Sequence, residues 1–380
     1  MDEGEDCGNE VCDARRGNEN GSSRTVDEVL PDDLLERILT YLPIASVIRV
    51  GSVCKRWNEI VNTRKHSFTL PQKPWYFMFT SSDDPIGHAF DPILRKWFAL
   101  VLPCIASSNC IISSSCGLVC VMDNDTRRDL FICNPITRFS RKLPEPHELN
   151  KSDYTSLAIS AASGYTVAVV KSKQVPGNFY QWDLSIHCYS SATRDWTTPV
   201  SEVLAGWRGG AESVICGEIL YFLIYTTGSR SPCRRHRVVA YKLFSQGLVM
   251  GDFVAIPFPL TCGKLMNLNE RLVMVGGIGK VDRPDVIKGI GVWVLKGNEW
   301  EEIARMPAKY FQGFGELDDV FASSGNGEII YIQSYGAPAL LVFDMKQKVW
   351  KWSVKCPVTK RFPLQLFTGF CFQPSLQVMP

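Results

Sequence analysis

The stretch Leu30–Ile60, LPDDLLERILTYLPIASVIRVGSVCKRWNEI, decides how the chain begins to fold. Leu34, Leu35, Ile38, Leu39 and Leu42 recur at helical spacing and give one wide apolar face. Pro31, Asp32 and Asp33 suit the start of that helix. A missing N–H costs little there, and carboxylates meet the positive end of the helix dipole. Pro43 ends the helix. Ile44, Val47 and Ile48 form a second, shorter apolar stripe, and Ser52 is placed to cap a third helix carrying Val53, Trp57 and Ile60 on one side. Three short helices in about forty residues are too few to close a core of their own. The spacing therefore predicts a small all-α module whose remaining apolar surface is covered by a partner.

Leu30-Pro31, Leu34-Leu35, Leu42-Pro43 and the run Ser52-Val53-Cys54-Lys55-Arg56-Trp57 resemble an F-box, the module that docks a substrate receptor onto the Skp-type adaptor of a cullin–RING ubiquitin ligase. The resemblance implies that Leu30, Pro31, Leu34, Leu35, Ile38, Leu42, Pro43 and Val53 face or support the adaptor, while Trp57 ties the third helix into the module. From the residues alone, a plain helical hairpin at the head of a globular domain stays open.

Outward from this module the composition is ordinary. The 380 residues are 45% hydrophobic and 21% charged with a net charge of +2, which gives no general footprint for nucleic acid or an anionic membrane. No apolar run approaches the roughly 20 residues that span a bilayer, and MDEGEDCGNE is unlike a signal peptide. An intracellular protein of nucleus or cytoplasm is expected. Residues 1–26, rich in Gly, Asn, Ser and acids, read as a disordered acidic tail; 27–68 as the F-box; and 69–380 as a separate β domain. The 14 cysteines are scattered, as thiols are in a reducing compartment. Cys120, Cys133, Cys188 and Cys371 sit in apolar runs, and the group Cys104, Cys110, Cys116, Cys120 lacks a CxxC or a histidine at ligand spacing. No metal or other cofactor is expected.

Beyond Leu70 the pattern becomes short β-type runs between Gly, Pro, Asn and Ser, beginning with the buried-looking strand Trp75–Phe79. A loose repeat runs through it: an aromatic or Cys, then Asp, Asn or a polar residue, then a basic residue and an aromatic. Phe90-Asp91-Pro92 leads to Arg95-Lys96-Trp97; Cys133-Asn134-Pro135 to Thr137-Arg138-Phe139; Tyr189-Ser190 to Arg194-Asp195-Trp196; Val342-Phe343-Asp344 to Lys348-Val349-Trp350. Val292-Trp293-Val294-Leu295 leads likewise to Asn298-Glu299-Trp300. The anchors at 97, 139, 196, 300 and 350 are 42, 57, 104 and 50 apart, and the double gap leaves room for a degenerate unit with strands near Val238–Phe244 and Met250–Pro257. Six units of roughly fifty residues predict an all-β propeller of six degenerate kelch-type blades, with a β-sandwich as the alternative. Runs such as Gly117–Cys120, Gly217–Tyr221, Arg271–Gly277 and Gly327–Tyr331 read as strands that open units, and Gly276-Gly277 as a kelch turn. Leu366–Gln373 or Trp75–Phe79 supplies the strand that closes the ring.

The whole chain from about Val29 onward resembles the plant F-box/kelch-repeat proteins, and among them those of the Hawaiian Skirt type. The phrases that carry this include KPWYFMFTSSDDPIGHAFDPILRKW, VKSKQVPGNFYQWDLSIH, GWRGGAESVIC, VGGIGKVDRPDVIKGIGVWVLKGNEW and CPVTKRFPLQLFTGFCF. Most units lack the double glycine of the kelch pattern. The resemblance implies a propeller that recruits a protein target while the F-box joins an SCF ligase through the Skp-type adaptor, cullin and RING subunit. It implies further that the target is marked for proteasomal degradation and that the receptor has no catalysis of its own. The alternatives are a propeller scaffold unconnected to ubiquitin and a propeller oxidase, which requires copper.

No catalytic constellation stands out. His66, His88, His147, His187 and His236 are far apart, and VGGIGKV fails as a phosphate loop because Met274 stands at the first glycine position and Val281 follows Lys280. Arg230, Arg234, Arg235 and Arg237 make a basic loop, read as a solvated tip, an acidic-degron contact or a weak nuclear-import patch. Candidate target contacts are Trp207 and Arg208, Lys280 and Arg283, and Phe311 and Phe314, which mix aromatics and charge beside glycines.

Overall fold

Two prolines start the first two helices. Pro31 and Pro43 have extended backbone, and their carbonyls accept the first helical N–H groups: Leu34 and Leu35 on Pro31, Ser46 and Val47 on Pro43. The computed structural model describes residues 30–63, 72–79, 86–105, 109–146, 152–161, 164–228, 236–243, 253–257, 260–280, 286–312, 314, 321–334, 339–357 and 369–380. The expected tail, the outer ends of the F-box range, Arg283 and the loop arginines Arg230, Arg234 and Arg235 lie outside these residues. Helices α1 (Asp32–Thr40), α2 (Ile44–Val50) and α3 (Lys55–Thr63) form the N-terminal module. Ser52 does not cap α3 as expected. Its hydroxyl donates to the Arg49 carbonyl at 2.7 Å, closing the end of α2, and α3 begins three residues later. Arg56 holds α3 against the start of α1 by donating to Asp32 Oδ1 and to the Leu30 carbonyl.

The rest is built of four-stranded antiparallel sheets, six among the described residues, arranged as a six-bladed propeller. Blade 1 holds β1 (Trp75–Phe79), β2 (Ile86–Asp91) and β3 (Lys96–Val101); blade 2 holds β4 (Cys110–Ser115), β5 (Leu118–Asp123), β6 (Leu130–Cys133) and β7 (Ser140–Lys142). Blade 3 holds β8 (Tyr154–Ser160), β9 (Thr166–Val175), β10 (Asn178–Ser190) and β11 (Asp195–Ala205). Blade 4 holds β12 (Trp207–Cys216), β13 (Ile219–Thr226), β14 (His236–Lys242) and β15 (Phe253–Ala255), and so fills the double gap in the repeat. Blade 5 holds β16 (Leu260–Leu268), β17 (Arg271–Gly279), β18 (Ile287–Lys296) and β19 (Glu299–Arg305). After the short helix α4 (Ala308–Phe311), blade 6 holds β20 (Phe321–Asn326), β21 (Ile329–Ser334), β22 (Leu340–Asp344) and β23 (Val349–Trp352). The last strand, β24 (Gly369–Phe372), pairs with β1 and takes the inner place of blade 1. Both segments named as closing strands thus serve, side by side.

Two expectations need correction. The runs read as opening strands are the second strands β5, β13, β17 and β21; each is preceded by an inner strand along the central channel. Gly276-Gly277 is not a turn, because β17 continues through both to Gly279.

The repeat itself marks the turn between the third and fourth strands. Asp91 Oδ1 accepts the N–H groups of Ile93 and Leu94, Asn134 Oδ1 those of Ile136 and Thr137, and Asp344 Oδ1 that of Gln347. Four residues on from Asp91, Asn134, Ser190 and Asp344, the basic residue takes positive φ: Arg95 53°, Arg138 62°, Arg194 59° and Lys348 54°. Three of the four tryptophan anchors stand on the fourth strand against an aromatic of the third, Phe90–Trp97, Tyr189–Trp196 and Phe343–Trp350, with centroids 5.2, 5.3 and 4.3 Å apart, while Trp300 stands opposite Leu295. Trp97 and Trp196 also donate their indole N–H to the preceding blade, at Val354 O and Pro144 O.

Candidate functional site

The helical module has one covered and one open face. Leu35, Leu39, Ile44, Val47, Ile60 and Val61 are buried in one apolar cluster with Trp75, Phe77 and Phe79 of blade 1. The Ile44 N–H donates to Gln72 Oε1 at 3.3 Å, and the Arg49 guanidinium lies 5.9 Å from the Phe98 ring centre. The module is therefore seated on the first blade. On its other side Leu34, Ile38 and Tyr41, at i, i+4 and i+7 of the first helix, are 50, 48 and 68% exposed. Ile48 and Val53 are exposed as well.

Of the residues singled out in the sequence, Leu34, Ile38, Val53 and Pro31 stand at the open surface; Leu30, Leu42 and Pro43 are half-buried; Leu35 lies buried beneath. Trp57 is packed partly into the cluster shared with blade 1. Tyr41 and Ile48 were not singled out as surface groups. Tyr41 was legible as the i+7 partner of Leu34, whereas the stripe Ile44, Val47, Ile48 is divided by the fold, its first two members inward and its last outward.

A second region forms on the propeller. Its inner strands run in one direction, because equivalent bonds between neighbours advance together: Ser113 and Ser115 Oγ accept the N–H groups of Ile159 and Ala161, while Glu212 and the Ile215 carbonyl accept from Lys264 and Asn267. All inner strands consequently begin at one rim, around a central channel of about 520 Å³. Trp207 and Arg208 at the start of β12, Lys280 just after β17, Phe311 in α4 and Phe314 beyond it all fall on this rim. Because β1 pairs antiparallel with β24, with Trp75 opposite Phe372, the chain leaving the helices arrives at the opposite rim.

On the first rim Arg208 is held between rings, 3.9 Å from the centre of Tyr154 and 5.0 Å from that of Tyr225. Arg237 stacks over Trp207 at 5.0 Å. Phe314 is a correction: it is 3% exposed and stacks on Trp352 at 5.8 Å, so it anchors the segment after α4 instead of meeting a target. Tyr154, Tyr225 and Trp182 were missed because nothing local marks them; strand pairing and blade adjacency bring them to Arg208. Among the described residues no three His, Cys, Asp or Glu side chains stand together as a metal-binding group.

Comparison with known families and proteins agrees with this division. Residues 28–67 match the F-box-like family and residues 93–353 match the family described as F-box protein At3g26010-like, beta-propeller. The F-box/kelch-repeat protein At3g61590 of Arabidopsis thaliana is 59% identical, over 94% of this chain and 91% of its own length. Protein UNUSUAL FLORAL ORGANS of the same plant is 26% identical over 86% of this chain and 78% of its own. SKP1-interacting partner 15, also from Arabidopsis thaliana, is 24% identical over 92% and 98%. Helices that open an apolar face, joined to a six-bladed ring, define an F-box protein of the propeller class. This chain belongs to the plant F-box/kelch-repeat family.

Proposed function

We propose that the protein is the substrate receptor of an SCF-type ubiquitin ligase: its helices bind a Skp-type adaptor, and through it cullin and the RING subunit, while the propeller holds a protein target. The observation that carries this reading is the open face of Leu34, Ile38, Tyr41, Ile48 and Val53, apolar on a module whose other face is already used against blade 1. Exposed apolar groups of this size clustered on two short helices call for a partner. Leu35 supports that face from below, and Pro31 and Pro43 set the helix starts that shape it. The two ends of the protein are used separately, since the helices join at one rim and Trp207, Arg208, Lys280 and Phe311 gather at the other. A target held there, within the cell, is acted on by the ubiquitin-carrying enzyme through proximity, without chemistry from this chain.

The test is co-expression with a purified Skp-type adaptor and reconstitution with cullin and the RING subunit. Stable co-elution is expected, lost in the Pro31→Ala, Leu34→Ala double variant whose propeller still melts as the unaltered protein does. Undiminished co-elution of the double variant would remove these residues from the contact, and no adaptor binding by the unaltered protein would remove the reading.

A further inference from the structure

Five side chains from two blades form one continuous stack on the first rim. Trp182 lies 5.8 Å from Tyr154, Arg208 3.9 Å from Tyr154 and 5.0 Å from Tyr225, and Tyr225 5.5 Å from His236. The backbone sets this order. Tyr154 is the first residue of β8, and Arg208, Tyr225 and His236 are direct neighbours across β12, β13 and β14. Rings on both sides fix the plane of the guanidinium and leave its N–H edges as the reactive part. One N–H of Arg208 reaches an acceptor, the Gly209 carbonyl at 3.2 Å; among the described residues no carboxylate lies within ion-pair distance. Other cations of the fold do have carboxylate partners, among them Arg56 with Asp32, Lys264 with Glu212, Arg271 with Glu328 and Arg305 with Glu302. Trp182, in the same stack and buried, keeps an indole N–H with no acceptor. A fork held flat without an anion is arranged to receive two oxygens of one.

Apolar surface adjoins it. Phe179, at the tip of the β9–β10 hairpin, is 81% exposed and Tyr180 is exposed beside it. The Gly206 N–H donates to the Tyr180 carbonyl at 2.7 Å, and the Tyr180 ring lies against Gly206, where an added Cβ would meet its hydroxyl at 2.8 Å. The hairpin tip is thus pinned two residues before Arg208. We propose that this stack is a docking site for an anionic side chain of a target protein, a carboxylate or a phosphorylated residue, flanked by an aromatic or aliphatic side chain that lies on Phe179. The site rests on the receptor reading and names its substrate class.

The full-length protein is titrated into three fluorescein-labelled peptides: one repeating Asp-Phe-Glu-Leu, its Asn and Gln counterpart, and one with phosphoserine in place of Asp. The acidic or the phosphorylated peptide is expected to bind at least about tenfold more tightly than the amide peptide, as loss of a charge-assisted pair implies. Arg208→Gln removes that preference, and Arg208→Lys, which keeps the charge but not the fork, retains only part of it. Phe179→Ser, at a position too exposed to affect folding, weakens binding of the same peptide. Tighter binding of the phosphoserine peptide assigns the anion to a phosphorylated residue; equal or weaker binding assigns it to a carboxylate. Equal affinity for all three peptides overturns the proposal, as does unchanged binding by Arg208→Gln. Tighter binding of a single-stranded oligonucleotide through Arg208 also overturns it. Adaptor capture is measured in parallel. Captured adaptor without acid preference sinks the docking site alone, whereas acid preference without adaptor capture sinks the receptor reading and leaves the site.

Discussion

The phenolic hydroxyl of Tyr331 donates to the carbonyl of Pro74, across 257 positions of sequence. Pro74 is the last residue before β1, so a side chain of blade 6 fixes the point where the chain passes from the helices into the ring. Tyr76, its ring inclined at 48° to that of Tyr331 with centres 5.4 Å apart, completes the joint by donating to Gln333 Oε1 at 2.7 Å. Burial holds the Tyr331 hydroxyl far above the usual tyrosine pKa, so it stays a donor at any ordinary pH.

Tyr331→Phe leaves the buried Pro74 carbonyl without that donor while keeping the ring in place. A loss of about 1–3 kcal/mol is expected from an unsatisfied buried acceptor. Urea unfolding measures it, and an unchanged midpoint would show that the joint contributes nothing to ring closure.

His187 gives the fold a pH dependence. It lies buried between blades 2 and 3, with Ser185 and Thr198 on its ring nitrogens. Burial, and then the charge of Lys171, pulls its pKa down to about 4. An unfolded chain takes up this proton near pH 6.5 and the folded chain does not, so the stability present above about 6.5 is lost as pH falls toward 4. His187→Gln should flatten that part of the stability curve, and the difference between the two proteins should span up to roughly 3 kcal/mol. Parallel curves from pH 7 to 4 would contradict it.

Asn134 shows why one turn of the repeat differs from its equivalents. At Asp91 and Asp344 a carboxylate suffices, because the side chain only accepts turn N–H groups. Asn134 must also donate, and its Nδ2 bonds the carbonyls of Ser375 and Val378, holding the segment after β24. Asn134→Asp should keep the turn and release the C-terminal segment, seen as faster proteolytic trimming after residue 372 with little change in the melting of the ring. Trimming at the original rate would show that the segment is held by other contacts.

The same turn explains what was legible in the sequence. Asp or Asn, the positive-φ residue and the outer aromatic carry their geometry locally, so they repeat visibly even between diverged blades. The inner strands do not. CIISSS and FASSGN line a polar channel and exchange bonds with a neighbouring blade, as Ser324 Oγ does by accepting the Cys371 N–H at 2.9 Å, so they lack the apolar alternation that marks a strand. The apolar second strands were mistaken for unit openings for that reason. At the rim, Trp207 and Arg208 were legible as an aromatic beside a charge. The rings that sandwich Arg208 were not, since Tyr154 and Tyr225 reach it only through blade adjacency and strand register.

Neighbouring residues of α1 separate docking from folding. Ile38 is 48% exposed on the open face, whereas Leu39 is buried in the cluster shared with blade 1. Ile38→Glu places a charge where only solvent or a partner stands, so melting should change little while adaptor capture is lost. Leu39→Ala opens a cavity in the joint between helices and blade, with an expected cost of about 2–5 kcal/mol, and weakens capture only as far as the helices unfold. Thermal unfolding and adaptor co-elution measured on both variants check the assignment. If Ile38→Glu captured adaptor normally while Leu39→Ala alone failed, the docking surface would lie on a different face of the module.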